Sequence, residues 1–471
     1  MDKYDLSIFI FRRDLRLNDN TGLIAALKAS AKVIPLFICT PTQLSDQNTY
    51  KSSNAIQFMM ESLHDLDKQI RSRGSGLSLW VAYGDEVPTL KKIYSKIRFD
   101  AIYVNEDFTP YAIKRDKSIK QFCSFKDILF SSHTDILLVD STLDIRAQNS
   151  NTYGIFSQFY RTALTYPIRK PKHNPLSNFK SLVPIFAKWK VKTIDSFLLK
   201  KEFYTLNEQI AIHGGRTRGL RILSHVDKFK TYKKTHDMLA LNTTRLSPHN
   251  KFGTVSIREV YWSFKLKAKS VDLCRQLYWR DFYYYVGIHF GKDLYAHNHL
   301  KLESKDRIQW ENKKSYLTAW QVGLTGFPIV DAAMAEINAT GFMHNRGRLI
   351  TSSFLTKDLL IDWKHGEKYF SQRLIDIDRA QNIGNWNWSA SFGLDSTPFL
   401  RVLNPWTQSK KYDPKASYIK KWLPMLADVE PKHLHRWNKY HELYDVAYPA
   451  PIVDHDVRRK IFLKYYKTNF S

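Results

Sequence analysis

The run RLIDIDRAQNIGNWNWSASFG, residues 373–393, holds the densest set of side chains capable of chemistry. Asp376 and Asp378 stand one residue apart and could ligate a cation through carboxylate oxygens, although helix capping and local ion pairing are the ordinary uses of such a pair. Trp386 and Trp388 could stack on a planar ligand, while core packing is the commoner reason for a W-x-W. A second cluster, GFMHNRGRLI at 341–350, puts Asn345, Arg346 and Arg348 on an expected helix, where the Arg348 guanidinium could grip a carboxylate in a two-pronged fork. In a third, CRQLYWRDFYYY at 274–285, Gln276 and Trp279 lie three apart and so share a helix face, with Arg280 and Tyr283 beside them.

Charge says what these clusters are set among. The chain carries a formal net charge of +27, well beyond what solubility requires, and such an excess calls for a polyanionic partner. It is unevenly placed, with 20 basic against 18 acidic residues in 1–150 and 52 against 27 in 151–471. A solvated basic surface would explain the numbers alone. Ten of the twelve tryptophans, however, lie from Trp262 onward in the same basic half, and aromatics among cations suit stacking on unpaired bases. Cys39, Cys123 and Cys274 are an odd number without C-x-x-C spacing, which argues for buried, reduced thiols and against a disulfide framework or a zinc site. No apolar run approaches the roughly 18 residues of a membrane-spanning helix, and the charged start MDKYDLSIFIFRRDLR does not read as a signal peptide, so a soluble intracellular protein is expected.

The elements that must position the clusters follow from periodicity. Short β-branched or aromatic runs at 6–11, 33–39, 77–83, 101–104 and 136–139 alternate with helical stretches, which predicts an α/β lobe built on a five-stranded parallel sheet over residues 1–140. One such helix is SNAIQFMMESLHDLDKQIRSRG, stopped by Gly74 and Gly76. The first strand is not followed by G-x-G-x-x-G, so an ordinary dinucleotide site is not expected there. Residues 141–200, rich in Pro and Lys with little periodicity, read as a long connection. Beyond 200 the patterns are helical, as in VDLCRQLYWRDFYYYVGIHF and FPIVDAAMAEINATG, which predicts an all-α lobe over 201–471.

The runs FRRDLRLNDN (11–20), NTYGIFSQFYR (151–161), TTRLSP (243–248), QLYWRDFYY (276–284), GLTGFPIVDAAMAEINATGFMHNRGRLITSSFLTKDLLIDW (323–363) and IDIDRAQNIGNWNWSAS (375–391) together resemble the photolyase/cryptochrome family. Within it the chain is most similar to the class I photolyases of cyclobutane pyrimidine dimers. The resemblance implies an N-terminal Rossmann-like antenna lobe and a helical lobe holding FAD, active in its reduced anionic form. It implies light-dependent DNA repair, in which photoexcited reduced FAD transfers an electron to a flipped-out dimer and splits it. The alternatives are a six-four photolyase and a cryptochrome-type blue-light receptor. A second, antenna chromophore is compatible with the family, as a folate, a deazaflavin or a flavin. The implied partner is UV-damaged DNA, with no membrane and no obligate protein partner, and the implied state is a monomer.

Carried over by motif, Tyr232, Thr243, Thr244, Arg245, Leu246 and Ser247 hold the FAD phosphates, supported by Arg280. Asp376 and Asp378 lie against the flavin ring and ribose, Arg348 pairs with Asp376, and Asn382 sits at flavin N5, where an amide releases no proton near neutral pH. Trp386, Trp363 and Trp310 form an electron-transfer chain to the surface. Trp279 and Trp388 wall the substrate pocket, with Tyr283 adjoining, and Gln276 and Asn345 hydrogen-bond the dimer. His236, Arg346, Arg401 and Gln408 hold flanking phosphates or bases. Photolyases reach their target by base flipping, so that step is implied by the resemblance. The chain departs from the pattern at Gln276, where cyclobutane-dimer enzymes usually carry Glu, at His236, which replaces an Arg, and at Phe342, which replaces a Trp. The histidine pair of six-four enzymes falls on Asn345 and Leu349, neither of which is His.

Overall fold

The computed structural model describes residues 3–140, 145, 152–174, 182, 201–297, 309–391, 393–395 and 401–470. The expected connection, 141–200, falls largely outside these residues. The chain divides into two compact units, one made of Met1–Asn207, Ile212–Lys230 and Thr244–Gly291, the other of Glu208–Ala211, Thr231–Thr243 and Lys292–Ser471. Residues 201–471, read above as one lobe, are thus shared between both units.

The first unit is built on five parallel strands, β1 (Tyr4–Phe11), β2 (Ser30–Cys39), β3 (Trp80–Tyr83), β4 (Ala101–Asn105) and β5 (Leu129–His133), in the order β3-β2-β1-β4-β5. The central strands are apolar without a break because both sheet faces are covered. Ile8 stands opposite Ile34 and Ile102 in register, and these residues head a core with Trp80, Leu90, Ile119 and Phe122. Four of the five predicted strands fall where expected. The fifth does not: 136–139 is a buried loop, and β5 is the half-polar LFSSH at 129–133. The apolar run needs no strand partner because Asp281 accepts the Leu138 and Val139 N–H groups at 2.8 and 3.0 Å.

The helices Thr21–Ala29 and Pro110–Phe125 pack on the sheet, and the same unit contains α1 (Ser53–Arg71), α2 (Phe156–Ala163), α3 (Ser247–Phe252) and α4 (Val271–His289). The loop after β1 is fixed by buried charge. Arg16 pairs with Asp135 at 2.5 Å, and Arg258 pairs with Asp19 at 2.7 Å and Asp135 at 2.8 Å.

The second unit contains no strand among its described residues. Its helices include α5 (Lys314–Val322), α6 (Pro328–Thr340), α7 (Asn345–Ser353), α8 (Trp363–Arg373), α9 (Arg379–Ser389), α10 (Pro405–Tyr412) and α11 (His455–Phe470). Gly341 ends α6 with φ 68°, a left-handed conformation that suits glycine and turns the chain toward the 341–350 cluster. After α7 the backbone widens into a π-helical turn, Phe354–Asp358. No described helix is long and apolar enough to cross a membrane. The three cysteines are buried and free, as expected.

Candidate flavin site and nucleic-acid contacts

In the second unit the structure brings together Arg348, Asp376, Asp378 and Asn382. Arg348 Nη2 donates to both oxygens of Asp376, at 3.1 and 2.8 Å, and its Nε donates to the Met343 carbonyl at 2.9 Å. Asp378 caps α9 by accepting the Gln381 N–H at 3.3 Å. Pairing and capping are therefore what the D-x-D does within the protein, and no group of three or more metal-ligating side chains occurs among the described residues.

Asn382 is oriented by a partner that sequence reasoning missed. Its Nδ2 donates to Glu367 Oε1 at 2.8 Å, to the Glu367 carbonyl at 3.0 Å and to Ser371 Oγ at 3.0 Å. Glu367 is fully buried, and its other oxygen lies 3.5 Å from His297 Nε2. With the amide nitrogen spent inward, the group Asn382 offers to a ligand is its carbonyl oxygen, an acceptor. A flavin ring edge presents N–H donors and carbonyl acceptors. The carboxylate of Asp376, the guanidinium of Arg348 and the carbonyl of Asn382 match that pattern, so the residues present fit the group.

Trp386 and Trp363 are buried, and Trp310 is half-exposed. Trp386 packs edge-on against Phe370 at 5.0 Å and Trp320 at 6.2 Å. Its indole also presses on bare backbone, since a Cβ at Gly366 would lie 2.2 Å from the ring. Gly366 is one turn from Trp363 on α8, so this contact seats one indole against the helix that begins with the next. Trp363 faces the His297 ring at 5.6 Å. Trp320, fully buried, was missed because nothing in its local pattern separates it from a core residue.

The expected DNA contacts of this unit are held from within. Arg346 pairs with Asp237 at 2.6 Å and stacks over Tyr412 at 4.2 Å, while His236 Nδ1 reaches the same carboxylate at 3.1 Å. Asp237 is a second missed residue, adjacent in sequence to His236. His344 precedes the exposed Asn345 and caps α7, its Nδ1 accepting the Arg346 N–H at 3.1 Å. Burial pushes the His344 imidazole down to about 4, which keeps it neutral and able to accept. Trp388, half-buried, donates to the Asp395 carbonyl at 3.2 Å; Arg401 is exposed, and Gln408 is half-buried on α10. Tyr232 lies 5.2 Å from the His236 ring, and Thr243 is half-buried nearby in sequence.

The first unit carries the remaining predicted residues. Thr244, Arg245 and Leu246 lead into α3, Arg245 with φ 51°, and Ser247 is exposed at its first position. Trp279 is the top of an aromatic pile: Phe156 of α2 lies parallel beneath it at 3.6 Å, and Tyr283 adjoins at 6.2 Å. Phe156 was quoted within a motif but not singled out. Gln276, one turn before Trp279, is exposed and donates to the Asp272 carbonyl at 3.5 Å. Arg280 is buried and gives Nη1 to the Ile136 carbonyl at 2.7 Å while stacking over Tyr284, so the structure uses it to hold the 136–139 loop.

The family models matched by the two parts of the chain define the class, a two-part flavoprotein. The chain matches the model of the DNA photolyase family over residues 7–176 and that of the FAD binding domain of DNA photolyase over residues 273–468. It belongs to the photolyase/cryptochrome family, and FAD is its cofactor. It is 34% identical to the deoxyribodipyrimidine photo-lyase of Synechococcus over 480 residues, covering 98% of this chain and 96% of the relative. Among solved structures it is similar to an archaeal photolyase from Sulfolobus tokodaii with two FAD molecules, at TM-score 0.85 and 38% identity over 98% of this chain and all of that one. The cryptochrome of Synechocystis also matches, at TM-score 0.85 and 26% identity over 99% of this chain and all of that one.

Proposed function

We propose that the protein is a deoxyribodipyrimidine photo-lyase that splits cyclobutane pyrimidine dimers in DNA under light. The observation that carries this reading is the Asn382 amide, whose nitrogen is spent on Glu367 and Ser371 so that the group left for a ligand is an acceptor, together with the Arg348–Asp376 pair of the same unit. An acceptor there suits a reduced flavin, whose N5 bears hydrogen. When bound reduced, FAD supplies an excited electron to the substrate and takes it back after the ring opens. The protein's part is to hold and to exclude water. Asp376, Asp378, Arg348 and Asn382 orient the ring end, and Tyr232, Thr243, Thr244, Arg245, Leu246 and Ser247 hold the phosphate end. Trp279 and Trp388 stack on the dimer. Trp279 is kept flat by Phe156, which lowers the entropy that stacking must overcome.

Asn345 and Leu349 favour cyclobutane dimers over six-four photoproducts, because neither side chain can supply an imidazolium proton. Gln276 donates to a pyrimidine carbonyl in place of a carboxyl. Purified protein incubated with an oligonucleotide bearing one cyclobutane thymine dimer is expected to restore the bases under near-ultraviolet to blue light and not in darkness. Absence of light-dependent repair would leave the cryptochrome reading in place, and repair of a six-four product alone would move the enzyme to that class. Trp310→Phe is expected to slow photoreduction of oxidised FAD while sparing repair by pre-reduced enzyme; equal loss of both would remove the tryptophan chain. A second chromophore, folate, deazaflavin or flavin, is compatible with the two FAD molecules of the archaeal relative, and the absorption spectrum of extracted chromophores identifies it.

A further inference from the structure

We infer that Lys357 is a positioning residue for DNA binding, holding from inside the second unit the backbone segment that carries Arg401. The inference rests on the reading of Arg401 as a DNA contact.

Lys357 lies in the π-helical turn that follows α7 and is 3% exposed. Its ammonium donates to the Arg401 carbonyl at 2.5 Å. Four residues earlier, Ser353 Oγ accepts the Leu403 N–H at 3.2 Å. One donor and one acceptor from a single helical turn thus grip residues 401–403 at two points. The next residue, Asn404, caps α10 by accepting the Trp406 and Thr407 N–H groups at 2.9 and 3.2 Å. The held backbone therefore feeds directly into the helix that bears Gln408.

A buried lysine is a costly way to fill space. Burial drives its amine down to about 7, with Asp358 opposing, and methionine would occupy the same volume without that penalty. Asp358 does not neutralise it cleanly, because its carboxylate is bound to His455 at 2.5 Å and its carbonyl to Arg458 at 2.6 Å. Phe462 of α11 supplies an aromatic face 5.9 Å from the amine. What the amine adds over an apolar side chain is the bond to Arg401. The Arg401 side chain stays exposed while its backbone is pinned, which fixes the origin of a long cation and reduces the freedom lost on meeting a phosphate.

The test uses the full chain loaded with FAD, titrated with a duplex containing one cyclobutane thymine dimer at several salt concentrations. Arg401→Ala is expected to weaken binding by up to about tenfold and to reduce the salt slope by about one. Lys357→Met is expected to lose affinity by a similar factor with the same change in slope, and the double variant to bind no worse than either single one. FAD content and the rate of FAD photoreduction should be unchanged in Lys357→Met, which a general lesion in the fold would not allow. Wild-type affinity in Lys357→Met beside a weakened Arg401→Ala would overturn the inference, as would losses that multiply in the double variant. Wild-type behaviour of Arg401→Ala would instead remove the reading on which it stands. If Lys357→Met does not fold, Ser353→Ala takes its place: a loss that does not add to that of Arg401→Ala is the expected result, and unchanged affinity rejects the idea.

Discussion

In the first unit Arg16 and Arg258, both buried, and the partly exposed Arg169 meet the buried Asp19 and Asp135 at 2.5–2.8 Å, so that each carboxylate touches two guanidinium groups. In the second unit Lys357 and Asp358 are neighbours in one turn, equally buried, and each spends its hydrogen bonds elsewhere. Burial alone would raise the Asp19 and Asp135 carboxyls, but Arg16 and Arg258 outweigh it and hold both below the usual carboxylate range. In the second unit burial wins: Lys357 is pushed down to about 7 and Asp358 up to about 6. The same operation, removing charge from water, gives ionised pairs where guanidinium groups donate directly to the carboxylates. It gives groups poised near neutrality where an ammonium and a carboxylate look away from each other.

The largest effect that would break this comparison is in the first unit. Arg258→Leu takes one of two guanidinium partners from each of two buried carboxylates, leaving Asp135 with Arg16 and Asp19 with Arg169, and should cost about 3 kcal/mol, read from the shift of the denaturation midpoint. A cost below about 1 kcal/mol would mean that the network is not the matched set its distances describe. Next in size is acid sensitivity. Because Asp19 and Asp135 have depressed folded-state values, their contribution is full above the unfolded carboxyl range near ~4 and is lost as pH falls below it. Asp135→Asn should therefore destabilise the protein at neutral pH and flatten its acid limb in a pH series of thermal melts. Smallest is the alkaline side of the second unit. Between about 7 and the unfolded lysine value near ~10.4 the unfolded chain binds a proton that folded Lys357 has released, so stability rises with pH across that window. Lys357→Met should remove that rise while changing stability at pH 7 by no more than about 1–2 kcal/mol, since the lost bond and the relieved burial oppose each other. A rise that persists in the variant would place it in another group.

What the sequence made legible follows the range of the interactions. The central strands and α4 were readable because local apolar runs and helical spacing suffice to set them. The fifth strand was misplaced at 136–139 because what keeps that run out of the sheet is Asp281, a residue far along the chain. At the candidate site the Arg348–Asp376 pair was expected from the family resemblance and is present, although a single nitrogen, Nη2, reaches both carboxylate oxygens in place of a two-pronged fork. Glu367, Asp237 and Phe156 were not foreseen as supports: each acts by orienting another side chain, and such pairings leave no periodic or compositional mark. The D-x-D shows the reverse, an apparent metal motif whose members are used for pairing and capping.

The closeness of the Trp386 indole to Gly366 has a mechanical consequence. A ring that rests on another side chain can slide as that side chain changes rotamer, whereas one seated on main chain inherits the stiffness of the helix beneath it. A single methyl at position 366 would act as a shim, and the tilt it forced on the indole would be transmitted to every chromophore whose spectrum senses that ring.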